Sequence, residues 1–324
     1  MKLDRRMLLG ASLTALTLAG ATEAVADPGA WSEEPVRIVV TFPPGGTSDL
    51  VARLLAQYLD TEYGQKAVVD NRPGAAGTVA ADYVAQQEPD GTTLILSNNA
   101  PFTISPTRFE EIPYDPVSDF SHVAYIGSSA PGLFVQPGSG ITTLDEYITH
   151  VKETPMTYGS SGVGSISHIL GEALDAELEI ESIHVPYQGS SPAIQDFRAG
   201  VLDSFYDMAV QNKEMIEDKE ATILAIASNE RNPELPDVPT FKEQGHDVVI
   251  ENWVGVSGPA GMDLAQVEQI NETVAAVFEN PEVRQRLTEL GIAHRSMSSE
   301  EYTALVGELI EVWAPLITAA GIKE

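Results

Sequence analysis

The 324-residue chain contains no cysteine. That absence removes disulfides, thiolate metal ligands, cysteine nucleophiles and iron–sulfur clusters together. It also removes the lipidated cysteine that tethers a bacterial lipoprotein. Basic residues are scarce: 18 Lys and Arg stand against 48 Asp and Glu, a formal charge of −30. Nucleic acid and anionic membrane surfaces both require clustered cations, so neither is expected as a partner. The acidic side chains are scattered rather than gathered in a tail, which reads as a solvated surface suited to salty or alkaline surroundings. Metal-ligand spacing is missing as well. The six histidines form no H-x-x-x-H pair, and His168 with Glu172 offers two ligands without a third. No metal and no cofactor are expected.

What is present begins with the N-terminus. Lys2, Arg5 and Arg6 precede a 15-residue apolar stretch, Met7 to Ala21, and Ala24-Val25-Ala26 is a small-residue cleavage site before Asp27. The stretch is shorter than the roughly 20 residues an uncleaved spanning helix needs. Residues 1–26 therefore read as an export signal. Asp4-Arg5-Arg6-Met7-Leu8-Leu9 is similar to a twin-arginine signal, and an ordinary Sec signal accounts for it equally well. Its removal takes three basic and two acidic residues, moving the net charge to −31.

Beyond the signal, short β-branched runs alternate with amphipathic stretches, the pattern of an α/β protein. Strands are expected at Val36–Phe42, Lys66–Asp70, Thr92–Ser97, His122–Gly127 and Gly132–Gln136. A second α/β unit follows, with strands at Met156–Gly159, Glu181–Tyr187, Val201–Met208 and Thr222–Ser228. A late strand spans Val248–Ser257, and three helices close the chain: Leu264–Phe278, Pro281–Leu290 and Ser299–Ile317. After the first strand, a helix is expected to turn Leu50, Val51, Leu54, Leu55 and Leu59 inward. The length suits two lobes: 27–130 with 229–324, and 131–228, the C-terminal helices folding back on the first.

Two loops carry the chemistry. Phe42-Pro-Pro-Gly-Gly-Thr-Ser-Asp49 lies between a strand and a helix; Gly45 and Gly46 permit close backbone approach, and the helix start offers unpaired N–H groups to an anion. A plain turn capped by Ser48 or Asp49 is the commoner outcome of such a stretch. It is neither a Walker loop nor a dinucleotide fingerprint. Tyr158-Gly-Ser-Ser-Gly-Val-Gly-Ser-Ile-Ser-His168 repeats the theme with hydroxyls. Neither Ser160 nor Ser161 has the flanking glycines of a nucleophile elbow, so no catalytic residue is assigned. Asp207, at a strand end, reads as a buried acceptor or an ordinary turn residue.

Taken in order, these segments resemble the periplasmic solute receptors of tripartite tricarboxylate transporters, the Bug family. The matching pieces are Phe42–Asp49 with Arg53, Asn71–Gly77, Pro113–Phe120, Tyr158–His168 with Gly171-Glu172, His184–Gly189 with Pro192, Gly200–Asp203, Leu235–Thr240 and Trp253–Ala260, essentially the whole mature chain. The resemblance implies a two-lobed periplasmic-binding-protein (type II, Venus flytrap) fold, each lobe a mostly parallel sheet flanked by helices. It implies capture of a small organic carboxylate between the lobes and delivery to membrane subunits, by a monomer without catalysis. The ligand contacts it implies are Gly46, Thr47, Ser48, Asp49, Asn98, Asn99, Ser160, Ser161 and Ser165, with Asp207 as distal selector. Two other functions remain open on sequence: an exported serine hydrolase using Ser160 or Ser161, and a ligand sensor for a membrane kinase.

Overall fold

The structure, a computed structural model, describes residues 29–319 and 321–323; the export signal read at 1–26 lies outside them. The chain opens with β1 (Val36–Val40), α1 (Thr47–Tyr63), β2 (Ala67–Asn71), α2 (Thr78–Ala85) and β3 (Thr93–Asn98). A π-helical turn at Ala100–Ile104 then runs into the short α3 (Ser105–Arg108). Next come β4 (Phe120–Ser129), β5 (Pro131–Val135), α4 (Leu144–Glu153), β6 (Thr157–Ser160), α5 (Ile166–Leu178) and β7 (Ile183–Pro186). They are followed by α6 (Ser190–Arg198), β8 (Ser204–Met208), α7 (Lys213–Glu217) and β9 (Thr222–Ile226). The chain ends with β10 (Asn252–Pro259), α8 (Leu264–Glu279), α9 (Pro281–Glu289), β11 (Ala293–His294) and α10 (Ser299–Ala319).

The strands form two sheets, ordered β11-β4-β10-β3-β1-β2 and β7-β6-β8-β5-β9. In the first, β1, β2, β3 and β4 share a direction and β10 and β11 oppose them; in the second, only β5 runs against the rest. The apolar run of β1 is explained by its place between two parallel neighbours, with helices covering both faces. Helix α1 buries Val51, Ala52, Leu55 and Leu59 against that sheet. Leu50, expected inward, is 43% exposed, because it sits off the stripe set by its neighbours. Helix α4, absent from the sequence reading, carries its own start signal. Thr143 accepts from the Glu146 N–H at 3.2 Å, and the Glu146 carboxylate reaches back to the Thr143 N–H at 3.1 Å.

The chain crosses from the first sheet to the second at Ala130, between β4 and β5, and returns between β9 and β10. The return segment does not belong to the first lobe from residue 229, as the sequence reading has it. Phe241, Val248 and Ile250 pack in the core of the second sheet, and the Ile250 N–H donates to the Ala227 carbonyl at 2.8 Å. The expected strand over Val248–Ser257 accordingly starts only at Asn252. Helix α10 also departs from expectation. Its first half packs Tyr302 and Val306 under the first sheet, whereas Trp313 and Ile317 enter the second core.

Candidate functional site

In both sheets the parallel strands end toward helix N-termini, the edge where open α/β sheets bind ligands. A cleft of about 510 Å³ opens there between the sheets. Its first wall is the Phe42–Ser48 loop and the start of α1, with Asn98, Asn99, Ala100 and Ile104 beside it; Gly164 and Ile166 face them from the second sheet's side. Ser129, Asn252 and Val254 line the part nearest the crossovers. Every lining side chain is neutral.

The start of α1 is open. Its N-cap, Gly46, has no side-chain capping bond, so the first N–H groups of a 17-residue helix are not covered from within. Thr47 and Ser48, on that first turn, line the cleft as expected. Asp49 does not line it. Its carboxylate is almost fully buried and bonds Arg53 through Nε and Nη2, both at 2.9 Å, the Gly45 N–H at 2.9 Å and Asn71 Nδ2 at 3.0 Å. The Arg53 guanidinium, aided by those donors, holds the Asp49 carboxyl down at about 2. Asp49 is thus the anchor that fixes the left-handed turn at Gly45 (φ +93°), not a group presented to a ligand.

Asn98 and Asn99 line the cleft, yet their amides are engaged. Asn98 donates to Thr41 Oγ1 at 2.9 Å and accepts from the Ala100 N–H at 3.1 Å. Asn99 donates to the Glu251 carbonyl at 2.9 Å and accepts from the Trp253 N–H at 2.8 Å, clamping the strand that returns from the second sheet.

On the opposite side the expected serines shape the wall without lining it. Ser165 caps α5: its Oγ accepts from the His168 N–H at 3.2 Å and donates to the Gly162 carbonyl at 2.7 Å. Ser161 Oγ lies 3.0 Å from Ser167 Oγ. Ser160 is fully buried, with Oγ 2.6 Å from His184 Nε2. That pair is a serine–histidine contact that sequence spacing did not reveal, because it spans two parallel strands. Among the described residues no carboxylate bonds His184, and the sealed Ser160 Oγ has no path to a substrate; the geometry of a catalytic triad is not met. The His184 ring instead stacks on Tyr158 at 4.8 Å and on His168 at 4.0 Å, with rings 12° apart in the latter pair. His168 Nδ1 accepts from the Gly164 N–H at 3.1 Å, so the stack holds the very loop that forms the second wall. Burial, then the neighbouring His168, pushes His184 down to about 4; burial also lowers His168, against the pull of Glu172.

Asp207, expected as a distal selector, is buried and is not among the residues lining this cleft; it accepts from Ser190 Oγ at 2.9 Å and Asn212 Nδ2 at 3.2 Å, and burial raises its pKa. It ties the start of α6 to the turn after β8. The polar lining residues that sequence reasoning missed are Ser129 and Asn252. The signal available for Asn252 was a polar residue interrupting an apolar strand, Val248–Ser257.

Comparison with known proteins agrees with this architecture. Residues 51–322 match the model of the tripartite tricarboxylate transporter family receptor. A UPF0065 protein in the tcbD-tcbE intergenic region of Pseudomonas sp. strain P51 is 31% identical over 97% of this chain and 93% of its own length. The structure of an R. palustris protein with adipate aligns with a TM-score of 0.72 and 31% identity, over 90% of this chain and 98% of that one. MatC from Rhodopseudomonas palustris with bound malate aligns at 0.67 and 30% identity, over 87% and 98% respectively. With the match covering most of its length, and two sheets meeting across one neutral cleft, the chain belongs to the receptor family of the tripartite tricarboxylate transporters.

Proposed function

We propose that this chain is an exported, monomeric, non-catalytic receptor that closes on a small organic carboxylate in the periplasm and passes it to the membrane subunits of a tripartite transporter. The observation that carries the reading is the uncapped start of α1, with the Thr47 and Ser48 hydroxyls on its first turn, opening into a cleft without a single ionisable side chain. A carboxylate there accepts from backbone N–H groups and hydroxyls and gains from the helix dipole, with water bridging to the Gly164 wall. Each good bond to a charged acceptor contributes about 1.5–3 kcal/mol. Several of them support micromolar affinity, near −8 kcal/mol, after the losses of association. The adipate and malate held by the two relatives above fit the same chemistry.

Native mass spectrometry of the mature chain, purified without added ligand from cells grown on mixed organic acids, tests this. A mass increment that denaturation releases as an organic acid supports the reading. A released amine, sugar or metal ion in its place contradicts it.

A further inference from the structure

Strand alternation along β10 sends Trp253 into the aromatic core beneath the first sheet and puts Asn252 and Val254 on the other face, where both line the cleft. Asn252 pairs directly with Ser129 of β4, so their side chains are cross-strand neighbours on that face, roughly 5 Å apart. In sheet order β10 lies two strands from β1 and β4 lies three, which at about 4.8 Å per strand sets this pair roughly 10–14 Å from the strand that leads into α1. The pair therefore stands at the far end of any ligand whose carboxylate sits at Thr47 and Ser48.

Like the hydroxyls of Thr47 and Ser48, its polar atoms are little engaged within the protein. Asn98 is engaged with Thr41 Oγ1 and the Ala100 N–H, and Asn99 with the backbone of Glu251 and Trp253. Among the described residues the Asn252 amide makes no hydrogen bond, and Ser129 Oγ has only long contacts, 3.5 Å to the Asn252 carbonyl and 3.7 Å to Met208 Sδ. A half-buried amide beside a buried, weakly held hydroxyl stays solvated or meets a ligand.

We infer that Asn252, with Ser129, is the specificity-determining pair for the distal end of the ligand, and that it selects a carboxylate bearing an uncharged hydrogen-bonding group, a hydroxyl or carbonyl oxygen, over one bearing an amine. The inference rests on the carboxylate reading above. An ammonium there is desolvated with no carboxylate in the lining to balance it. A purely apolar end leaves the amide unpaired, the situation in which a polar site rejects its analogue most strongly.

The test is calorimetry with three matched series of five to eight carbons: the straight-chain acid, its terminal hydroxy acid and its terminal amino acid. In the wild-type protein the hydroxy acid of the best-fitting length binds at least tenfold more tightly than the parent acid, and the amino acid binds weakest. Asn252→Leu reverses the order of the first two. Asn252→Asp brings the amino acid to the top, and Ser129→Ala weakens the hydroxy acid severalfold while sparing the parent. If the wild type binds acids but the substitutions shift all three classes by one common factor, the inference is overturned and the carboxylate reading survives. If the wild type binds none of the three classes, the inference is overturned, and the carboxylate reading falls with it when adipate and malate, titrated alongside, also fail to bind.

Discussion

At the scale of single residues, the site depends on groups that never meet the ligand. Asp49 fixes the turn at Gly45 through four bonds, and its strongest partner, Arg53, is half exposed one helical turn on. Replacing Asp49 by Ala strands the Gly45 N–H and frees the loop; a loss of about 1–3 kcal/mol in urea unfolding is expected. Carboxylate affinity should fall at least tenfold, about 1.4 kcal/mol, although no ligand contact is removed. Because its folded pKa lies below the ordinary 3.8, the Asp49 contribution is complete above pH 4 and disappears as pH falls through about 2. An Asp49→Ala protein with unchanged affinity would return Asp49 to a purely local role. The sequence offered the same residue as a ligand or a cap, since an acid at a helix start suits both. The i,i+4 arginine was the clue to the third role it plays.

At the scale of elements, the glycine loop before α1 was legible because a broken β-branched strand followed by a helix start is local information. The second wall was legible only in outline. Its serines lie where the sequence put them, but their hydroxyls turn inward to cap α5 and to meet His184, an arrangement fixed by the pairing of β6 with β7. That wall contains a pH-sensitive support. The stacked His168 and His184 face Tyr158 from β6 and Glu172 from α5; Tyr158 donates to Glu172 Oε1 at 3.1 Å, and Glu172 lies 3.5 Å from His168 Nε2. Two imidazolium rings at 4.0 Å repel, and a protonated His168 Nδ1 no longer accepts from Gly164. Both folded pKa values lie below the ordinary 6.5, so the unfolded chain binds the protons first. Stability is complete above pH 6.5 and declines toward pH 4. Buried His122, pushed down to about 4, adds to the same slope. Urea midpoints measured from pH 7 to pH 4.5 should fall for the wild type and fall less for His184→Gln, which keeps a partner for Ser160 without titrating. Parallel slopes for the two proteins would remove the histidine stack as the cause.

At the scale of the whole molecule, the two-sheet plan was readable from alternating strand and helix patterns, but the seams were not. Residues 235–250 and the end of α10 are amphipathic segments with no label saying which core they serve, and both go to the second sheet. Asn252 was hidden for the same reason: its importance comes from being the first residue back on the first sheet, opposite Ser129. Scale also explains the charge. A chain at −30 repels an anion at long range, and a neutral cleft does nothing to offset that, so capture occurs at short range.

The most direct measurement is therefore the salt dependence of carboxylate binding by the mature chain. Calorimetric titration with the best-bound acid at 0.1 M and 1 M NaCl changes the screening length from about 10 Å to about 3 Å. Neutral donors at the start of α1 predict micromolar affinity that holds or tightens as the repulsion is screened. An affinity that collapses at high salt, the behaviour of a site built on Arg or Lys, or the absence of binding by any acid at either salt, would contradict the account.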